Sequence, residues 1–139
     1  MLKSVAAFSG LYDTLVGALL LFASAWLASA FGVPPAQPPI FSDLNAIFLI
    51  AVGLGYYMPW HDPERHRGYM WVMGVGLKTA GAAAFLLDYQ FRGSPASFLL
   101  FAASDGTLAL LTLSALIHSR TSTKPNRRPG DQESRRRGG

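Results

Sequence analysis

An all-α fold is predicted for this chain: a four-helix transmembrane bundle with short loops and a disordered basic C-terminal tail. Three observations predict it. The 139 residues are 50% hydrophobic and only 14% charged, and the mean hydropathy is +0.26. The apolar residues gather in four stretches, each near the length of about 20 residues that lets a helix cross the hydrocarbon core. Most of the charge falls between or after those stretches. The expected spans are about 5–31, 40–60, 69–87 and 98–117, giving a four-span membrane domain over 1–118 and a cytoplasmic tail over 119–139.

The first span is the longest and also has features of a signal peptide. Lys3 gives a minimal basic start, residues 15–21 an apolar centre, and Ala28-Ser29-Ala30 a small-residue cleavage pattern. Against cleavage, Asp13 interrupts the approach to the apolar centre and one lysine is a poor positive region, so a retained span is expected. Gly32 to Pro39 follows as an uncharged, proline-rich spacer that cannot continue a helix. The second span runs to Trp60, and the connection His61 to Gly68 is the most polar of the chain. Arg92-Gly93-Ser94-Pro95 is a short turn that closes the third and fourth spans as a hairpin. The tail from Ser119 holds Arg, Ser, Gly and Pro with no apolar residue able to pack, so it is expected to be disordered and to lie against anionic lipid.

Lysine and arginine set the orientation. One side carries Lys3, Arg65, Arg67, Arg120, Lys124, Arg127, Arg128 and Arg135 to Arg137, and the other carries Arg92 alone. Positive loops stay in the cytoplasm, so both termini are expected there, in the cell inner membrane as a multi-pass protein. Tyr56, Tyr57, Trp60, Tyr69 and Trp71 are expected in an inner aromatic belt, and Trp26, Tyr89, Phe91 and Phe98 near the outer face.

Three charges remain inside the spans: Asp13, Lys78 and Asp105. Each costs about 2.5 to 3.5 kcal/mol at the bilayer centre on insertion scales, so each needs a partner or a purpose. Helical spacing surrounds them with small residues. Gly10 and Gly17 flank Asp13; Gly74, Gly81 and Ala82 flank Lys78; Ala102, Ala109 and Thr112 flank Asp105. In the second span Asp43, Ala46, Ile50, Gly53 and Tyr57 share a face, with Asn45 one step round. At 1.5 Å rise per residue Asp13 lies about 15 Å deep, near the midplane, while Asp43 and Asn45 lie near the outer boundary. The expected site is therefore an intramembrane polar cluster of Asp13, Lys78 and Asp105, with Asp43 and Asn45 peripheral. With two acids and one base, one carboxylate lacks a counter-charge, and burial favours its neutral form.

No chemistry beyond that cluster is expected. The chain has no cysteine, which excludes disulfides, thiolate metal sites and cysteine catalysis. His61, Asp62, Glu64 and His66 lack metal-ligand spacing, Pro63 interrupts them, and Arg65 and Arg67 lie among them, so a solvated loop is expected. Gly53-Leu54-Gly55 and Gly74-Val75-Gly76 lie within apolar runs and read as packing glycines rather than phosphate loops. No nucleophile with a base assembles, so neither catalytic residues, a metal nor a cofactor is expected. The expected partners are the lipid bilayer and a second copy or another membrane protein, not nucleic acid. Tyr12-Asp13-Thr14-Leu15 and Asp105-Gly106-Thr107-Leu108 look alike on helices of opposite direction, a short likeness that chance accounts for in apolar sequence.

Four short spans, Gly74-Val75-Gly76-Leu77-Lys78 in the third, Ser104-Asp105-Gly106 in the fourth and Asp62-Pro63-Glu64-Arg65 between the second and third form a pattern. It resembles uncharacterised four-span bacterial inner-membrane proteins that are broadly DoxX-like, and it covers about 5–118. The arginine and lysine of that family around the first span are not matched, so the resemblance implies architecture and carries over no site residue. Small multidrug exporters share four spans and an acid in the first, without their wider signature here. Two functions are then expected. One is a non-enzymatic accessory or assembly protein whose cluster holds the bundle or a partner helix. The other is a small proton-coupled transporter acting as a dimer, with Asp13 or Asp105 carrying the proton and Lys78 setting its proton affinity.

Overall fold

A computed structural model describes residues 1–121, all of them in helices or short connections. Four helical stretches are long and apolar enough to cross a membrane: Leu2–Phe22, Ile40–His61, Arg67–Arg92 and Ala96–Ser119. The all-α, four-span class is thus as the apolar pattern predicts. The tail over 122–139 lies outside the described residues.

The first span differs from the single helix expected over 5–31. It is α1 (Leu2–Phe22) followed by α2 (Ser24–Phe31), with Ala23 between them at φ −137 and ψ 30. Neither glycine nor proline marks this break. The ladder is barely interrupted, because Ala23 N–H still reaches the Leu19 carbonyl and Leu27 N–H the Ala23 carbonyl, both at 2.9 Å. What holds α2 in its new direction is packing: the Phe31 ring stacks on Phe101 at 4.9 Å and tilts against Phe98 at 5.9 Å. Gly32 then ends α2 at φ +70, where a Cβ would be strained, with Val33 N–H returning to Ala28 and Gly32 N–H to Ser29.

The second span is α3 (Ile40–Gly55) and α4 (Tyr57–His61), joined at Tyr56. Pro59 has no N–H to return to the Gly55 carbonyl, which loosens the turn at that joint. The third span starts and ends beyond the expected 69–87. It comprises α5 (Arg67–Tyr69), a π-helix (Met70–Leu77) and α6 (Lys78–Arg92), closed by Gly93 at φ +70. Eight residues of π-helix are unusual; such turns widen the coil and rotate everything after them relative to an α-helix. Lys78 is the first residue after that rotation. A short 3-10 turn (Ala96–Phe98) leads into α7 (Leu99–Thr121), so Ser119 continues the helix instead of beginning the tail.

α1 packs on α3 and α4, α7 packs on the π-helix and α6, and the two pairs join along α1 and α7. Glycine makes the first contact close. A methyl group at Gly53 would lie 2.7 Å from Thr14 N and 2.8 Å from Gly10 O, so the α1 and α3 backbones nearly touch. At the end bearing the N-terminus, Val5, Ala6, Val52, Tyr56, Met70 and Leu116 form a tightly packed core. Tyr56 is only 1% exposed there, and the Tyr69 hydroxyl donates to the Val52 carbonyl at 2.6 Å. Tyr56, expected in the belt, thus belongs to the core, while Tyr69 and Phe98 are half-buried. Tyr57, Trp60 and Trp71 do face outward, so Tyr56 rather than Tyr57 continues the buried stripe of α3. Outside, Phe8, Leu11, Phe22, Ile47 and Leu110 present an apolar surface.

Candidate functional site: a charged floor beneath an apolar cavity

Lys78 gathers both in-span aspartates. Its Nζ donates to Asp13 Oδ1 at 2.7 Å and to Asp105 Oδ1 at 3.3 Å. The same Nζ lies 5.0 Å from the centre of the Tyr12 ring, over its electron-rich face. α1, α6 and α7 are therefore tied together by one ammonium. Exposure divides the two acids: the side chains of Lys78 and Asp13 are each 4% exposed, and that of Asp105 is 19% exposed. Tyr12 is fixed in turn by a 2.6 Å hydrogen bond between its hydroxyl and that of Ser104, one residue before Asp105.

Small residues let the three spans approach this closely. A methyl group at Gly74 would lie 2.7 Å from the Thr112 side chain, and one at Gly81 would lie 3.1 Å from Asp105 Oδ2. Ala82, Ala102 and Ala109 are buried along the same contact. Larger residues would hold α6 off α7, and Lys78 would lose Asp105. The juxtaposition of Asp13, Lys78 and Asp105 thus follows from mid-span depth together with small neighbours.

Above this floor lies a cavity of about 610 Å³, lined by residues of α1, α2, α3, α6 and α7. Val16 and Leu20 of α1, Leu27 and Phe31 of α2, Phe48 and Leu49 of α3, and Phe85 and Phe101 beyond them make its walls apolar. α2 and the segment from Val33 to Ala36 border its far end, where Phe31, Phe101 and Phe85 stack in sequence at 4.9 and 5.4 Å. Polar groups on the walls are few. Ser24, Ser42 and Asn45 line the cavity, and the Asn45 side chain makes no hydrogen bond among the described residues. Asn45 thus takes part in the site, whereas Asp43 stays apart in the first turn of α3, where the helix dipole favours a carboxylate. The bundle is consequently asymmetric: a packed half near the N-terminus, a hollow half near residues 32–39, and the charged triad at the boundary.

The loop His61 to Gly68 assembles no metal site; among the described residues no group of three or more metal-ligating side chains occurs. Its acids serve its own chain. Asp62 Oδ1 accepts the Arg65 N–H at 3.2 Å, and Glu64 pairs with Arg67 at 3.4 Å. Arg67 also donates to the Leu116 carbonyl at 2.8 Å and the Ser119 hydroxyl at 2.6 Å. It therefore caps a late turn of α7 rather than lying free in the loop, a role that cations favour near helix C-termini.

The cavity and the contribution of Tyr12 have no counterpart in the sequence reading. An i−1 position beside Asp13 was the available signal for Tyr12. Nothing in the residue order announces a cavity among these helices. Comparison with protein-family models, curated proteins and solved structures finds no match for this chain.

Proposed function

We propose that this chain is a multi-pass protein of the cytoplasmic membrane that holds a small organic ligand, as a proton-linked carrier or receptor. Both termini lie in the cytoplasm in this reading, supported by the clustering of lysine and arginine on one side. The observation that carries it is the cavity of about 610 Å³ with ionisable groups at its floor and apolar walls, the pattern of a ligand site. A register-fixing salt bridge needs no void above it. Asp105, the more exposed acid, faces the cavity and is the group placed to exchange a proton against ligand. Cavity and charges lie within one chain, so this reading needs no second copy to complete its site.

A second reading, a non-enzymatic accessory or assembly protein of the broadly DoxX-like kind, is favoured by one observation. Lys78 links three spans at once, which is what a purely architectural ion pair does. The two readings separate in one experiment. Native mass spectrometry of the protein released from its membrane in mild detergent should find a bound small molecule in wild type. Ala28→Trp, which fills the cavity from α2, should lose it without loss of the folded protein. A ligand-free wild type isolated with a stoichiometric membrane-protein partner would instead favour the accessory reading.

A further inference from the structure

Resting on the ligand-holding reading above, we propose that the cavity takes an organic cation: an ammonium head at Asp105 and a short aromatic or aliphatic tail among the phenylalanines. The argument begins with which charge the floor presents. Lys78 is the buried member, 4% exposed, with its ammonium turned onto Asp13, Asp105 and the Tyr12 ring. A ligand in the cavity meets little of it. Lys78, Asp13 and Asp105 all line the cavity, and Asp105, at 19% exposed against 4% for the other two, presents the most surface to it. Its Oδ1 accepts from Lys78, while its Oδ2 accepts no hydrogen bond among the described residues. With both acids ionised the floor carries one negative charge in excess, so a bound cation takes the place of the proton that burial otherwise favours on one carboxylate, and the shorter 2.7 Å bond commits Lys78 chiefly to Asp13. The under-compensated group is thus the one that faces the void.

In a cavity with apolar walls a carboxylate with a free oxygen favours a cationic donor over a neutral one, because charge-assisted hydrogen bonds are about twice as strong as neutral ones. An anion would meet chiefly Asp105, because the ammonium is only 4% exposed and is already held by two carboxylates. The walls specify the rest of the molecule. Phe101 lies one helical turn from Asp105 and Phe98 nearly two turns, so rings wait about 6 to 10 Å along α7 from the carboxylate. The volume lies within the roughly 300 to 1,000 Å³ of small-molecule sites. Asn45 of α3 also lines the cavity, and its side-chain oxygen can accept an N–H of a ligand there. An arylalkylammonium fits head and tail together.

The test uses the full chain in nanodiscs of zwitterionic lipid, titrated calorimetrically with phenylbutylammonium, phenylbutanol and phenylbutanoate against empty discs. The cation should bind at least about tenfold more tightly than the alcohol, and the anion more weakly than both. In Asp105→Asn the cation should fall to the alcohol's affinity while the alcohol keeps its own, which shows the cavity intact. If the anion matches the cation, or Asp105→Asn keeps the preference, the cation assignment is overturned. Equal binding of alcohol and cation would overturn it while leaving the ligand-holding reading standing. Binding of none of the three would remove that reading as well.

Discussion

Lys78 is where the energetics of this protein concentrate, because a buried ammonium is tolerable only while its carboxylates stay in place. Removing one member of such a pair leaves the other charge uncompensated, a loss of about 3 to 5 kcal/mol. The two aspartates should not be equivalent. Asp13, at 2.7 Å and 4% exposed, holds the ammonium more closely than Asp105, at 3.3 Å and 19% exposed. Asp13→Asn is therefore expected to destabilise the folded protein more than Asp105→Asn, by at least about 1 kcal/mol in chemical unfolding from mixed micelles. The reverse order would mean that Asp105 carries the pairing. The three in-span charges were legible in the sequence, since their cost made partners necessary and small neighbours indicated close packing. Their unequal burial was not legible, because it depends on where the cavity opens, and no residue type encodes that.

At the scale of elements, glycine contacts decide how closely the spans pack. Gly53 sits against Thr14 and the Gly10 carbonyl, so Gly53→Ala drives a methyl group into backbone that cannot move aside. It should lower the midpoint of unfolding and weaken the α1–α3 contact, whereas Gly68→Ala, with open space around it, should leave the midpoint unchanged. Differential scanning fluorimetry on the two variants checks this pair. Other features of the elements escaped the sequence for physical reasons. The break at Ala23 has neither glycine nor proline to mark it, and ring stacking from Phe31 across to Phe101 sustains it. The π-helix over Met70–Leu77 occupies residues that read as an ordinary apolar run, yet its extra width determines the face on which Lys78 emerges. Tyr56 and Tyr57 are one residue apart, and an error of that size in helical phase exchanged a core position for a surface one.

For the whole molecule, the division into a packed half and a hollow half relates topology to function. Positive charge in the connection between α4 and α5 and its scarcity beyond α2 and α6 place the hollow half toward the outer face in the proposed orientation. The cysteine-free sequence gives a clean background for testing that. Gln37→Cys should react with a membrane-impermeant maleimide on intact cells or spheroplasts, and His66→Cys only after permeabilisation; the opposite pattern would invert the protein and its cavity. The four-span class was readable from apolar length alone, while the cavity was not, because it depends on how residues of five helices come together in space. Beneath both lies the claim that charges on different spans meet at one floor. A double-mutant cycle between α1 and α6 tests it most directly, with unfolding free energies measured for wild type, Asp13→Asn, Lys78→Met and the double variant. The account predicts a coupling of about 1 to 3 kcal/mol, the double variant being more stable than the sum of the single losses implies. Additivity within about 0.5 kcal/mol would contradict it.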